Sequence, residues 1–335
     1  MRRDVYLGLI STMFVMLFLA ACFAGCTSQA PAAATPTAAP AVSGQQTLVI
    51  ATTTSLYDTK LLDYLQQKFE TKYPDVKLKI TSQGSGKAIE LAKNGDADVL
   101  LVHSPAAELT FMKDGYGLNR RTFASNYFMI VGPEADPAGI RDMAPEAAMT
   151  TLLLKGTNKT AGIAFVSRGD NSGTHTVEKN IWAKAGYNYT TQVQKSGDWY
   201  VEAGKGMGDT LQMASEKGAY TLTDEGTYLS YKQNLKLTPV VTKGASLLNI
   251  YSVMTVYNTK QPADKIKMAN NFVNFLIDPA TQADIGTFGV DKYGKALFTP
   301  MTVEVPTAAE GWVGNYTAPA KDIAPAPKGG IGTTN

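Results

Sequence analysis

Thr47-Leu48-Val49-Ile50-Ala51 is a short run rich in β-branched residues. It passes directly into Thr52-Thr53-Thr54-Ser55, after which the apolar residues return at a different period. Leu61, Leu65, Phe69 and Tyr73 recur at helical spacing with Leu62 beside them, and Pro74 closes the helix. Val76, Leu78 and Ile80 then alternate as a strand does, and Gly84-Ser85-Gly86 turns into a helical stretch carrying Ala88, Ile89, Leu91 and Ala92. Val99-Leu100-Leu101-Val102 is apolar throughout, the signature of a strand covered on both faces. The same text continues: a strand over 127–131, Ile163-Ala164-Phe165-Val166, a helix over 174–185, another over 209–217, strands over 219–222 and 250–256, and helices over 266–276 and 281–288. Strand–helix alternation with continuous apolar strands implies an α/β fold with a mostly parallel sheet.

The chain has 335 residues, about two domains' worth at roughly 100–200 residues per domain. Its 31 Lys and Arg nearly balance 29 Asp and Glu, which argues against nucleic acid held by bulk positive charge. The two cysteines, Cys22 and Cys26, both lie near the start, so the rest has neither a disulfide framework nor a thiolate zinc site. Two histidines, His103 and His175, are too few for a His-rich metal centre, and no metal cation is expected. Arg2 and Arg3 precede an apolar run over 5–25, the parts of a secretory signal. Leu19-Ala20-Ala21-Cys22 and Phe23-Ala24-Gly25-Cys26 both read as lipoprotein cleavage boxes. Cys26, at the end of the apolar run and followed by Thr27-Ser28-Gln29, is the preferred lipid site, with Cys22 the alternative; an uncleaved anchor is the competing reading. The expectation is a signal segment over 1–26, export, and tethering to the outer face of the cytoplasmic membrane. Residues 27–45 are Pro, Ala and Thr rich and uncharged, a semi-extended linker, and 304–335 form a Pro/Gly-rich tail.

Small hydroxyl residues and glycines fall at three strand-to-helix turns: Ala51-Thr52-Thr53-Thr54-Ser55, Ser82-Gln83-Gly84-Ser85-Gly86-Lys87, and Ser167-Arg168-Gly169-Asp170-Asn171-Ser172-Gly173-Thr174-His175. A helix N-terminus presents unpaired N–H groups and about half a positive charge; Ser and Thr add donors, and Gly admits close approach. Any one such turn is ordinarily just an N-cap. Three converging beyond the carboxyl ends of the strands make an oxyanion site without bulk charge. Gly84-Ser85-Gly86-Lys87 lacks P-loop spacing and the third glycine of a dinucleotide fingerprint. Arg168 could pair on the surface with Asp170 or Glu178, but between a strand end and a glycine its fork suits an oxyanion.

The chain resembles the tungstate-binding proteins of TupA-type ABC uptake transporters. The resemblance rests on Thr52-Thr53-Thr54-Ser55-Leu56-Tyr57-Asp58-Thr59, on Asn94-Gly95-Asp96-Ala97-Asp98-Val99-Leu100-Leu101-Val102-His103, and on Phe165-Val166 followed by the third turn through His175. Gly206-Met207-Gly208-Asp209-Thr210-Leu211 and Ala219-Tyr220-Thr221-Leu222-Thr223-Asp224 extend it, over nearly all of 47–300. It implies the type II periplasmic-binding-protein fold: two α/β lobes with mostly parallel sheets, joined by a two-strand hinge, 47–127 plus 245–303 forming one lobe and 128–244 the other. It implies a solute-binding protein that captures a tetrahedral oxyanion, most of all tungstate, and delivers it to a membrane permease. No cofactor is implied and a monomer is expected. The family's hydroxyls, backbone N–H groups and arginine map to Thr53, Thr54 and Ser55, to Ser85, and to Arg168, Ser172, Gly173 and Thr174. Lys87 departs from the polar residue expected there.

Molybdate, sulfate or phosphate are alternative ligands; hydrogen phosphate would need an acceptor, for which Asp170 or Asp224 are placed. A hydrolase using Ser172, His175 and Asp170 is disfavoured, because triad members ordinarily come from separate elements. A sensory module would need an output segment that the sequence does not display. Asn158-Lys159-Thr160, Asn188-Tyr189-Thr190 and Asn315-Tyr316-Thr317 have the form of glycosylation acceptors, a pattern chance also produces in a Thr-rich chain.

Overall fold

The computed structural model describes residues 44–258 and 261–301. The signal segment, Cys22 and Cys26, nearly all of the linker and the tail lie outside the described residues. No helix among the described residues is long and apolar enough to cross a membrane.

The first lobe is built from β1 (Gln46–Thr53), α1 (Thr54–Asp58), α2 (Leu61–Lys72), β2 (Val76–Gln83), α3 (Ser85–Asn94), β3 (Val99–Val102) and α4 (Pro105–Lys113). β1 runs parallel to both β2 and β3, as the helical crossovers require. Along these strands, side chains alternate between two cores. Leu48, Ile50, Val99 and Leu101 pack with Leu65, Phe69 and Phe272, whereas Ala51, Leu100 and Val102 pack with Ala88, Phe111 and Met112. Both faces are covered, which is why the strands read as unbroken apolar runs.

The lobes are joined by β4 (Gly117–Pro133), a single 17-residue strand. The sequence pattern predicts a strand only over 127–131. The missing half contains Asn119, Arg120, Arg121 and Thr122, polar yet buried. Their burial is compensated by distant partners: Arg120 donates to buried Glu108 Oε2 at 2.8 Å, and Asn119 Nδ2 to Asn270 Oδ1 at 2.9 Å.

After β4 come α5 (Pro145–Thr157), β5 (Phe165–Ser167), α6 (Gly173–Lys184), β6 (Tyr200–Glu202), α7 (Met207–Lys217), β7 (Thr221–Asp224), α8 (Glu225–Tyr231) and β8 (Leu237–Val241). The chain then returns through β9 (Leu248–Val256), followed by α9 (Ala263–Ile277), α10 (Pro279–Thr287), α11 (Val290–Tyr293) and the short β10 (Thr299–Pro300). The near half of β4 pairs antiparallel with β9, up to Tyr127 opposite Leu248; from Phe128 onward it pairs antiparallel with β7 and β8. β9 also pairs antiparallel with β3, while β5 and β6 form a separate parallel pair. The crossover units are therefore parallel, and the strands that carry the chain between lobes run against them. The second lobe is again double-faced. Phe128 and Ile130 enter a core with Leu152, Trp182 and Tyr220, and Met129 and Val131 enter one with Leu211 and Tyr228.

Candidate functional site

Three strand-to-helix turns meet where the lobes touch. In the first lobe, Thr53 caps α1, its Oγ1 accepting from the Leu56 N–H at 3.4 Å and lying 3.3 Å from Ser55 Oγ. Thr53 and Ser55 are buried; Thr54 is half-buried. At the second turn, Gly84 caps α3 and Ser85 is buried at its first position. In the second lobe, β5 ends at Ser167, and Ser172 caps α6 by accepting from the His175 N–H at 3.2 Å.

The two lobes touch through these same residues. The Gly173 N–H donates to Ser85 Oγ at 3.0 Å, and Arg168 Nη2 donates to Thr54 Oγ1 at 3.2 Å. A Cβ on Gly84 would stand 3.3 Å from Asp170 Oδ2 and 3.5 Å from the Ser172 Cβ. A Cβ on Gly173 would stand 2.5 Å from His103 Nε2, which only glycine allows. Of the eight residues expected from the sequence, Thr54 and Ser85 of the first lobe thus meet Arg168 and Gly173 of the second; Thr53 and Ser55 flank Thr54, and Ser172 and Thr174 flank Gly173, all four buried. Lys87 is exposed.

Arg168 is buried, not a surface cation. Nη2 also donates to Asp170 Oδ2 at 2.5 Å and Nε to the Lys205 carbonyl at 3.3 Å. Asp170 Oδ1 accepts from the Ser172 N–H at 3.1 Å. Among the described residues, Arg168 Nη1 and Thr174 Oγ1 are buried without a hydrogen-bond partner. An unpaired buried donor costs about 1–3 kcal/mol, more when charged; several other buried groups, such as Thr52 and Trp199, are likewise unpaired, but these two lie on the turn that meets Thr54 and Ser85.

Behind this loop sits a buried polar network. Glu178 accepts from Ser167 Oγ at 2.6 Å, from Tyr200 OH at 2.5 Å and from Trp182 Nε1 at 3.2 Å. Burial pushes the Glu178 carboxyl up to about 7, against the pull of those three donors. His175 accepts the Asn171 N–H on Nδ1 at 3.0 Å, so Nε2 carries its proton, 2.8 Å from Tyr189 OH. Tyr189 in turn donates to Glu202. Burial lowers His175 to about 4. Both ring nitrogens of His175 are thus engaged away from the Ser172 hydroxyl, and no Ser–His–Asp relay is formed. Asp224 Oδ1 accepts the Thr227 N–H at 2.9 Å and Oδ2 the Thr227 hydroxyl at 2.6 Å. Each oxygen of Asp170 and of Asp224 already accepts a hydrogen bond.

The sequence reading did not select His103, Asn126 or Asn249 for the site. His103 follows β3, buried, its Nε2 3.3 Å from Ser55 Oγ and its Nδ1 2.8 Å from Asn249 Oδ1. The available signal was its place beyond the carboxyl end of an apolar strand; nothing local marks the two asparagines.

A family model described as a PBP superfamily domain matches residues 30–280. A tungstate-binding protein TupA of Peptoclostridium acidaminophilum is 39% identical over 293 residues, spanning 87% of this chain and 98% of the relative. A solved structure of tungstate-binding protein TupA from Desulfovibrio alaskensis is 41% identical, with a TM-score of 0.63 over 76% of this chain and 98% of that one. The solved tungstate ABC transporter structure from Geobacter sulfurreducens is 40% identical, with a TM-score of 0.62 over 71% of this chain and 97% of that one.

Proposed function

The chain belongs to the PBP superfamily and, within it, to the TupA-type tungstate-binding proteins, and from that premise we propose that it captures tungstate outside the cytoplasmic membrane and hands it to the permease of an ABC importer. The observation that carries this reading is the pair of buried unpartnered donors, Arg168 Nη1 and Thr174 Oγ1, beside the crevice where Ser85 meets the Gly173 N–H. A tetrahedral dianion offers acceptor oxygens and no proton. Thr53, Thr54, Ser55 and Ser85 supply hydroxyls from the first lobe; Arg168, Ser172, Gly173 and Thr174 supply the guanidinium and the helix N-terminus from the second. Arg168 and Asp170 cancel as a pair, so selection rests on directed donors rather than on net charge.

The lobes divide at 47–127 plus 245–303 and at 128–244, and closure of this hinge seals the anion from water. A lipid on Cys26, or on Cys22, holds the protein at the membrane. The chain acts as a carrier without catalysis or cofactor, as a monomer.

Thermal melting of the purified chain with tungstate, molybdate, sulfate and phosphate in turn, together with calorimetric stoichiometry, tests the reading. One tungstate per chain is expected. At a hundredfold excess over Kd, stability rises by about 2.7 kcal/mol. The absence of any shift with every tetrahedral oxyanion would refute the carrier role.

A further inference from the structure

A continuous hydrogen-bonded chain runs from the interlobe strands to the anion crevice. Asn249 Nδ2, on β9, donates to Asn126 Oδ1, on β4, at 2.8 Å. Asn249 Oδ1 lies 2.8 Å from His103 Nδ1, and His103 Nε2 lies 3.3 Å from Ser55 Oγ. Asn126 and Asn249 sit opposite each other in the β4–β9 ladder, one residue before its last pair at the lobe junction. All four residues are buried. The His103 ring is fixed by stacking on Tyr251, with centroids 4.9 Å apart and an interplanar angle of 8°, and faces Phe128 at 5.9 Å. The groups around the ring are therefore Asn249 and Tyr251 from β9, Phe128 from β4, Ser55 from α1 and Gly173 from α6, with Arg168 and Asp170 acting on it at longer range.

The direction of this chain fixes what Ser55 can do. With Asn249 Oδ1 as acceptor, His103 carries its proton on Nδ1 and presents a bare Nε2. When the Ser55 proton goes to this bare nitrogen rather than to Thr53 Oγ1, which is also 3.3 Å away, Ser55 offers only lone pairs to the crevice. A fully deprotonated oxyanion needs the opposite. If both carboxamides turn over, Asn126 Nδ2 donates to Asn249 Oδ1, Asn249 Nδ2 donates to His103 Nδ1, and the imidazole proton sits on Nε2. His103 then donates to Ser55 Oγ, and the Ser55 hydroxyl is released to donate to the anion. The reversal moves one imidazole proton from Nδ1 to Nε2 and leaves the net charge unchanged.

We propose that His103 is a positioning residue of the anion site, and that oxyanion binding reverses the Asn126–Asn249–His103–Ser55 chain, converting Ser55 from acceptor to donor. The proposal rests on the oxyanion reading of the crevice. Two further observations support it. In the first direction Asn126 Nδ2 and the Tyr251 hydroxyl are both buried without a well-formed hydrogen bond, although Tyr251 feels Asn126, Asn249 and Ser55; reversal replaces the orphaned N–H by a carbonyl oxygen, which is better tolerated. Burial, with Arg168 adding to it, lowers His103 to about 4, so near neutral pH the switch proceeds by tautomer exchange and not by forming imidazolium.

The chain has only two histidines, which makes the test direct. In the full-length protein with 15N-labelled histidine at pH 7, imidazole nitrogen spectra distinguish bare from protonated nitrogens. His175 is held as the Nε2–H tautomer and serves as the reference. Without tungstate, one imidazole of each tautomer is expected; at saturating tungstate, both are expected as Nε2–H. In Ser55→Ala, tungstate still binds, more weakly, and His103 keeps its proton on Nδ1. His103 protonated on Nε2 before tungstate is added, Nε2 still bare at saturation, or a switch that persists in Ser55→Ala would each overturn the proposal. Calorimetry on the same samples separates the two readings. Binding without the tautomer change refutes only the switch, whereas absence of binding refutes both.

Discussion

The two walls of the crevice solve one problem by different means. The first-lobe wall, made by Thr53, Ser55, Ser85 and His103, carries no formal charge: its hydroxyls sit at the end of β1 and in the first turns of α1 and α3, and its one titratable ring is held neutral by burial. The second-lobe wall carries a charged pair, Arg168 and Asp170, 2.5 Å apart, and is braced from behind by Glu178, Tyr200, Trp182 and His175. The hydroxyl wall is held in place by packing and by neutral hydrogen bonds such as Leu56 N–H to Thr53 Oγ1 and Gly173 N–H to Ser85 Oγ. A buried guanidinium needs a fixed counter-charge and a rigid loop, and the polar network behind residues 167–175 supplies that rigidity. The walls should therefore fail differently when altered.

The largest expected effect is on the charged wall. Arg168→Ala removes the guanidinium and leaves Asp170 without its partner. Tungstate affinity should fall by about 3 kcal/mol, roughly two decades, and the loss should change little with ionic strength because the pair is buried. Titration at two salt concentrations checks this; an unchanged affinity would abolish the distinction between the walls.

His103 and Glu178 should respond to pH in opposite directions. His103 is lowered to about 4 from an unfolded value near 6.5, so the folded state binds fewer protons in that interval. Its contribution is complete above about pH 6.5 and is lost as pH falls towards 4. Glu178 is raised to about 7 from 4.5, so the folded state holds a proton that the unfolded chain has released. Its contribution is complete below about pH 4.5 and is lost as pH rises through 7. Melting curves of His103→Gln and Glu178→Gln against the parent protein from pH 4 to 8 should diverge at opposite ends. The first variant loses part of the acid sensitivity, the second part of the alkaline sensitivity. Parallel curves would show that neither group is held as described.

Ser85→Ala tests the contact between the walls. It removes the acceptor for the Gly173 N–H and should cost about 1 kcal/mol in tungstate binding, roughly fivefold, with little change in fold. The smallest effect belongs to Lys87→Ala. An exposed cation contributes about 0–1 kcal/mol, and added salt should erase the difference. If Lys87→Ala proved more damaging than Arg168→Ala, the charged wall would be wrongly assigned.

The two walls were not equally legible from sequence. β1, α2, β2, α3 and β3 follow from periodicity because each is covered by a core that repeats every second or every third to fourth residue. The Ser, Thr and Gly turns at their ends stood out for the same reason: polar residues clustered where apolar strands stop. The first half of β4 was invisible. Asn119 and Arg120 are buried against Asn270 and Glu108, and compensation by distant partners leaves no local pattern. His103, Asn126 and Asn249 escaped in the same way, since their roles exist only after the fold brings β3, β4 and β9 side by side. The spacing of residues 167–175 identifies Arg168 as a ligand candidate and Asp170 as a possible partner, but the burial of that pair and the brace at Glu178 are tertiary facts.

The central claim is that a tetrahedral oxyanion sits between these walls. Crystals of the protein grown with tungstate, measured at the tungsten absorption edge, locate the metal by its anomalous scattering. One strong peak per chain is expected, with its oxygens in hydrogen-bond reach of Thr53 and Ser85 on one side and of Arg168 and Ser172 on the other. A peak outside the crevice, or one contacting a single wall with Arg168 still bound only to its protein partners, would contradict it.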